Sequence, residues 1–220
     1  MKVLNLYSCL GGNRLKWDEV ASAAGIQIHV TAVENDIHLC ELYQERFPDD
    51  LVIHGDAHQY LLDHFREFDF IWSSPPCPSH SRAAFGNRKS ANTKHLPIYP
   101  DLKLYEEIIF LQKYFIGRYC VENVIPYYEP LIPAQLRGRH LYWTNFRLPK
   151  LISTRDSSII QGSDEVNRLC EFHEYDFYKY KGAQRINKIA RNLVDYEAGK
   201  TIFEAMLNVK KDTSIQTQLF

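Results

Sequence analysis

Five short runs of strand-forming residues punctuate the first two-thirds of the chain: VLNLY (3–7), HVTAV (29–33), LVIH (51–54), FDFIW (68–72) and RYCVE (118–122). Amphipathic stretches lie between them. Because strands spaced this way must be joined by crossovers, the rhythm predicts an α/β fold, a Rossmann-like parallel sheet with helices on both faces. Between the last two runs, YPDLKLYEEIIFLQKYF places Leu102, Tyr105, Ile108, Ile109 and Phe115 at helical spacing, with Asp101 positioned as a cap. Periodicity fades between residues 147 and 182 and returns in IARNLVDYEAGKTIFEAML. With 220 residues, 45% of them hydrophobic, the chain can bury one sizeable core. The expected organisation is a domain over 1–146, a small irregular second lobe over 147–182, and a helical segment over 183–220 that packs back on the sheet.

Composition narrows the classes. The five cysteines, Cys9, Cys40, Cys77, Cys120 and Cys170, are odd in number, scattered and never spaced as CxxC. Neither a disulfide framework nor a zinc site is expected, and the thiols read as free in a cytoplasmic protein. No stretch has the length or apolarity to span a bilayer, and the N-terminus lacks a leader-like apolar region. The formal charge of -1 argues against a generally basic coat while leaving room for a local basic face, such as SRAAFGNRKSANTKH (81–95), with four cations and no acid.

Two segments suggest a ligand. After the first run, YSCLGGNRLKW places Gly11 and Gly12 where a backbone can approach a ligand closely. About twenty residues later Glu34 ends the second run, where doubly wound folds use an acid on ribose hydroxyls. A full GxGxxG is absent, so adenosine without pyrophosphate fits better than a dinucleotide. Asp56, in HGDAHQY, falls where it could meet the adenine amino group. Taken alone, the glycines read equally as a turn and Glu34 as a solvated strand end. The fourth run leads into Ser73-Ser74-Pro75-Pro76-Cys77, a backbone with largely fixed φ angles that delivers a thiol to the sheet's carboxyl edge. Cys77 is a candidate nucleophile, and equally a small buried apolar side chain.

Seven segments in order resemble the motifs of the DNA (cytosine-5)-methyltransferase family: NLYSCLGG, VENDIHLCELYQERFPDD, HGD, DFIWSSPPCPSHS, YCVENV, QLRGRHLYWTNF and IARNLVDYEAGKTIFEAML. The resemblance implies an S-adenosylmethionine-dependent methyltransferase acting on cytosine C5 in double-stranded DNA through base flipping. It assigns catalytic roles to Cys77, Glu122, Arg137 and Arg139. For the cofactor it implies Tyr7, Ser8, Gly11, Gly12, Glu34, Asn35, Asp56, Ala57, Pro75, Asn192 and Val194, and for the substrate Ser81, Arg82, Asn123 and Val124. It further implies a monomer without a metal, in a bacterial or phage-infected cell, in restriction-modification or regulation. Methylation of tRNA, which one branch of the family performs, and a non-catalytic nucleic-acid-binding module are the alternatives. Several positions depart from the pattern. Asn5 stands at the usual first acid, Pro78 and His80 follow Cys77, Arg191 replaces the glycine before Asn192, and the 147–182 lobe is short, so a short or degenerate target is expected.

Overall fold

The computed structural model describes residues 1–82, 99–154 and 164–208. All five expected runs are strands: β1 Lys2–Leu6, β2 His29–Glu34, β3 Leu51–His54, β4 Phe70–Ser73 and β5 Arg118–Val124. A hairpin adds β6 Gln135–Arg137 and β7 His140–Thr144, giving a seven-stranded sheet in the order β3-β2-β1-β4-β5-β7-β6. β1 to β5 run parallel and β7 pairs antiparallel with both β5 and β6. The sheet is therefore mixed, where the sequence pointed only to parallel strands. Its crossing helices are α1 Trp17–Ala23, α2 Ile37–Arg46, α3 Ala57–His64 and α4 Lys103–Tyr114, followed after the hairpin by α5 Glu165–His173, α6 Ile186–Asn192 and α7 Tyr196–Met206.

Strand alternation distributes the core between two faces. Val3, Phe70, Trp72 and Cys120 point to one side, against Trp17, Ile202 and Phe203 of α1 and α7. Leu4, Leu6, Ile71 and Val121 point to the other, against Leu61 of α3 and Leu104, Ile108 and Leu111 of α4. Trp17 stacks on Phe203 with centroids 5.0 Å apart, which fastens the chain's last described helix to its first. α7 thus packs against the sheet, and the helical run is broken between α6 and α7 by residues 193–195.

Two details of α4 differ from expectation. Asp101 does accept the Lys103 amide at 3.1 Å, and Tyr105 and Ile108 are buried as expected, but Leu102 and Ile109 are 52% and 51% exposed, and Leu104, Glu107 and Leu111 complete the buried stripe. A carboxylate at 0% exposure on that stripe could not be anticipated from apolar spacing. Residues 147–182 also distribute themselves unevenly. Leu148 and Ile152 join the sheet core, whereas Leu169, Phe177 and Tyr180 form a separate apolar cluster with Leu10, Leu39, Ile189 and Leu193 over α2 and α6. Part of the expected basic loop (83–95), with Arg88, Lys89 and Lys94, lies outside the described residues, as does 155–163.

The chain bends sharply after β1, and Gly11 is held at φ +66° there. A Cβ on Gly12 would stand 2.1 Å from the Val194 carbonyl and 2.7 Å from Leu193. Its missing side chain thus admits the α6–α7 link to the loop. Gly12→Ala is expected to cost about 1–3 kcal/mol through overpacking against backbone, lowering Tm by roughly 2–12 °C at 2–4 °C per kcal/mol for a chain of this size. An unchanged Tm in thermal denaturation would contradict the packing described.

Candidate active site

The strand order reverses between β1 and β4, and open α/β sheets bind ligands outside the carboxyl ends of their strands at such a point. A cavity of about 830 Å³ opens there. Small-molecule sites commonly span about 300–1,000 Å³. Its walls come from the loop after β1, the end of β2, the turn after β4, the end of β5, the β6–β7 hairpin, and α6 with the link that follows it.

Cys77 reaches this cavity on a braced turn. The Ser74 amide donates to the Leu6 carbonyl at 3.4 Å, the Asn123 side chain donates to the Pro75 carbonyl at 3.0 Å, and the amides of His80 and Ser81 both donate to the Cys77 carbonyl at 3.0 Å. The last two bonds close a tight turn immediately after the cysteine. His80, 1% exposed, anchors that turn through Nδ1 to the Tyr128 hydroxyl. The departure at His80 is thus a buried support, while the exposed Pro78 lines the cavity.

Glu122 enters from β5 with its residue 8% exposed, and its Oε1 lies 3.5 Å from His140 Nε2 on β7. Glu122 and Cys77 line the same cavity, and each approaches from the end of a different strand. Burial pushes the Cys77 thiol above its ordinary range, and the negative charge of Glu122 adds to that; Lys188 and Arg139 pull the other way. The free thiol is accordingly held protonated. Alkylation of Cys77 by iodoacetamide, followed by peptide mass spectrometry, is expected to rise with pH through a midpoint above the ordinary thiol value of about 8.5. A plateau already reached below pH 8 would contradict this electrostatic environment.

The other half of the cavity presents groups suited to a polar ligand. Glu34 Oε1 accepts the amides of Asn35 and Asp36 at 2.9 and 3.1 Å, and Oε2 accepts the Cys9 amide at 2.9 Å, so Oε2 keeps acceptor capacity toward the cavity. Burial raises its carboxyl's pKa against the pull of those amides. Tyr7 and Cys9, both non-glycine, sit at φ +55° and +48°, and between them the buried Ser8 Oγ has no hydrogen-bond partner among the described residues. An unpartnered hydroxyl and a spare carboxylate position fit a ligand carrying both donors and acceptors, as S-adenosylmethionine does. Asn35, Pro75, Asn192 and Val194 line the same space. Asp56 and Ala57 instead line a smaller cavity of about 150 Å³ next to it, which Tyr7, Asn35 and Pro75 border as well. Asp56 also caps α3 by accepting the Gln59 amide at 2.9 Å.

Not every expected site residue arrives. Gly11 and Gly12 line neither cavity; they make room for Tyr43 and Phe47 and for the Leu193–Val194 segment, so the close approach they allow is chain to chain. Ser81 pairs with Pro126, the Arg82 guanidinium donates to the Pro126 carbonyl at 2.9 Å, and neither residue lines the cavity. Arg137 lines the cavity but donates to the backbone carbonyls of Leu136, Leu148 and Pro149, clamping the hairpin to the following segment. Arg139, next to Gly138 at φ +56° in the hairpin turn, lines the cavity while remaining exposed. Asn123 and Val124 line the cavity as expected.

Two positions gain an explanation from their neighbours. Asn5 forms a reciprocal amide pair with Asn13, at 2.8 and 3.4 Å, that a carboxylate at position 5 could only half make. Arg191 binds Glu165 with both ends of its guanidinium, at 2.6 and 2.5 Å, tying α6 to α5. Lys188, one turn before Asn192 on the cavity side of α6, escaped attention. Its i, i+4 relation to a predicted site residue was the available signal.

Among solved structures, the chain is similar to the methyltransferase EhMeth of Entamoeba histolytica, at 11% identity and a TM-score of 0.55, over 94% of this chain and 98% of that one. It is also similar to a mutant of Spodoptera frugiperda DNMT2, at 15% identity and a TM-score of 0.53, over 94% of this chain and 99% of that one. At these identities the likeness is one of fold. No curated protein matches the chain. The sequence pattern of C-5 cytosine-specific DNA methylases matches residues 1–104, which include the loop after β1, Glu34 and the turn bearing Cys77. Over those residues, a little under half of its length, the chain is similar to C-5 cytosine-specific DNA methylases.

Proposed function

We propose that this protein methylates C5 of cytosine in double-stranded DNA, with Cys77 as the nucleophile at C6 and Glu122 as the acid at N3. The observation that carries the proposal is the meeting of Cys77 and Glu122 in one cavity from separate strand ends, close enough for the Glu122 charge to act on the thiol.

Cytosine C5 is too weak a nucleophile to take a methyl group unaided. Addition of a thiolate at C6 forms an S–C bond and pushes the ring electrons toward C5, while a proton or hydrogen bond at N3 accepts the charge that would otherwise build there. S-adenosylmethionine, when bound, supplies the electrophilic methyl group. Loss of the C5 proton to a base, return of the N3 proton to Glu122 and expulsion of Cys77 as the thiolate then restore the aromatic ring, and the thiolate regains from solvent the proton it gave up before attack.

The electrostatics suit this order of events. Ionised Glu122 opposes formation of the Cys77 thiolate; once Glu122 carries the proton that N3 needs, that opposition disappears. One proton position therefore prepares both groups. Lys188 and Arg139, each favouring the thiolate, line the same cavity. Arg137 acts through the hairpin, keeping its neighbour Arg139 and the cavity wall in place. A duplex base must leave its stack to reach such a cavity, at a cost of a few kcal/mol. On this reading residues 147–182 contact the target, and with so few side chains they read a short or degenerate sequence.

Incubation with S-adenosylmethionine carrying a labelled methyl group, in parallel with duplex DNA and with tRNA, tests the proposal. Label on cytosine C5 of duplex DNA is expected. Label on tRNA alone would move the substrate to RNA, and label on neither would reject the reaction.

A further inference from the structure

The carboxylate of Glu107, on α4 and 0% exposed, is not part of either cavity's lining, yet three side chains converge on it. The Tyr7 hydroxyl donates to Oε1 at 2.6 Å, the Ser73 hydroxyl donates to Oε2 at 2.6 Å, and His58 Nδ1 lies 3.1 Å from Oε1. Those three residues belong to the loop after β1, the end of β4 and the first turn of α3. Tyr7 borders both cavities and His58 the smaller one. Ser73 begins the four-residue approach to Cys77. A buried carboxylate without partners is strongly disfavoured, so the cluster is self-enforcing: each arm satisfies Glu107, and Glu107 fixes each arm.

We propose that Glu107 is a positioning residue for the cofactor, a three-armed anchor that holds Tyr7 and His58 as walls of the smaller cavity and keeps them in register with the strand leading to Cys77. The inference rests on the proposed function, in that the ligand held by those walls is the adenosine portion of S-adenosylmethionine. Tyr7 needs such an anchor because its backbone lies at φ +55°, a conformation that side-chain-bearing residues adopt only under outside constraint. The hydrogen bond that His58 donates to Glu107 also raises the His58 pKa, against the opposing effects of burial and Lys103 and with Glu106 acting in the same direction. Charge on His58 and contact with Glu107 thus reinforce each other.

Glu107→Gln keeps the volume but cannot accept from Tyr7 and Ser73 on both ends, because one end becomes a donor. Titration calorimetry of the full chain with S-adenosylmethionine is expected to show affinity about tenfold weaker in Glu107→Gln and about three- to fivefold weaker in Tyr7→Phe, since a net intramolecular hydrogen bond is worth roughly two- to tenfold in an equilibrium constant. In the double variant the losses should not multiply, staying near the tenfold of Glu107→Gln alone, because both changes break the same bond. In steady-state assays KM for the cofactor should rise while kcat changes little. A Glu107→Gln protein that binds like the native chain, or a double variant whose losses multiply, would overturn the inference. If Glu107→Gln does not fold, Tyr7→Phe alone decides: native affinity overturns the anchor, a three- to fivefold loss supports it. Native protein that binds no S-adenosylmethionine would overturn the proposed function and the inference with it.

Discussion

Cys77→Ala is expected to lower methyl transfer by about three orders of magnitude or more, because the substitution removes the covalent step and leaves only binding and proximity. The effect should fall on the chemistry alone. Cys77 is partly exposed, and the turn is held by Asn123 on the Pro75 carbonyl, by the His80 and Ser81 amides on the Cys77 carbonyl and by the Asp101 amide on Ser79, none of which the substitution removes, so the variant should keep its Tm within a few degrees and still bind the cofactor. Calorimetry and a labelled-methyl assay separate the two properties. Transfer within tenfold of the native rate would show that the thiol is not the nucleophile.

Glu122→Gln is expected to reduce transfer by about 10²–10⁴-fold, the usual loss when a positioned acid is removed. The same change should move the thiol the opposite way. With the neighbouring negative charge gone, Cys77 should ionise at lower pH and be alkylated faster at pH 8 than in the native protein. Only a carboxylate that both opposes the thiolate and assists the base yields this pairing of slower catalysis with a more reactive thiol. Equal alkylation rates in the two proteins would separate Glu122 from Cys77, and unchanged transfer would remove Glu122 from the chemistry.

The sheet was legible because parallel strands are nearly continuous apolar runs, and all five announced themselves. The hairpin strands were harder. β6 is three residues long and Leu136 is 54% exposed, so neither length nor alternation marks a packed strand there. Of the site, the residues attached to strand ends were placed well: Tyr7, Glu34, Cys77 and Glu122 all reach the cavity because parallel strands deliver their carboxyl ends to one edge. Residues whose contacts depend on what crosses their path were harder to read. Gly12 seemed to wait for a ligand and meets Val194, which lies 182 positions later. Arg137 carried a charge suited to a substrate and spends it on backbone carbonyls two strands' length away in sequence. His140 lies near Glu122 only because β7 runs antiparallel to β5, with Glu122 opposite Tyr142, a register no local pattern reveals. Glu107 was hidden for a related reason: its three partners come from other elements, and spacing along α4 says nothing of them.

If one pyrimidine ring lies between Cys77 and Glu122, a ring that accepts the thiol but cannot be released should remain bound. Duplex DNA containing 5-fluorocytosine provides it, since fluorine at C5 cannot leave as the proton does. Incubated with the protein and S-adenosylmethionine, then digested and examined by mass spectrometry, it should give a covalent adduct on the peptide bearing Cys77. That adduct should depend on the cofactor and be absent from Cys77→Ala. No adduct, or one attached at Cys9 or any other residue, would contradict the convergence of thiol and carboxyl on a single cytosine.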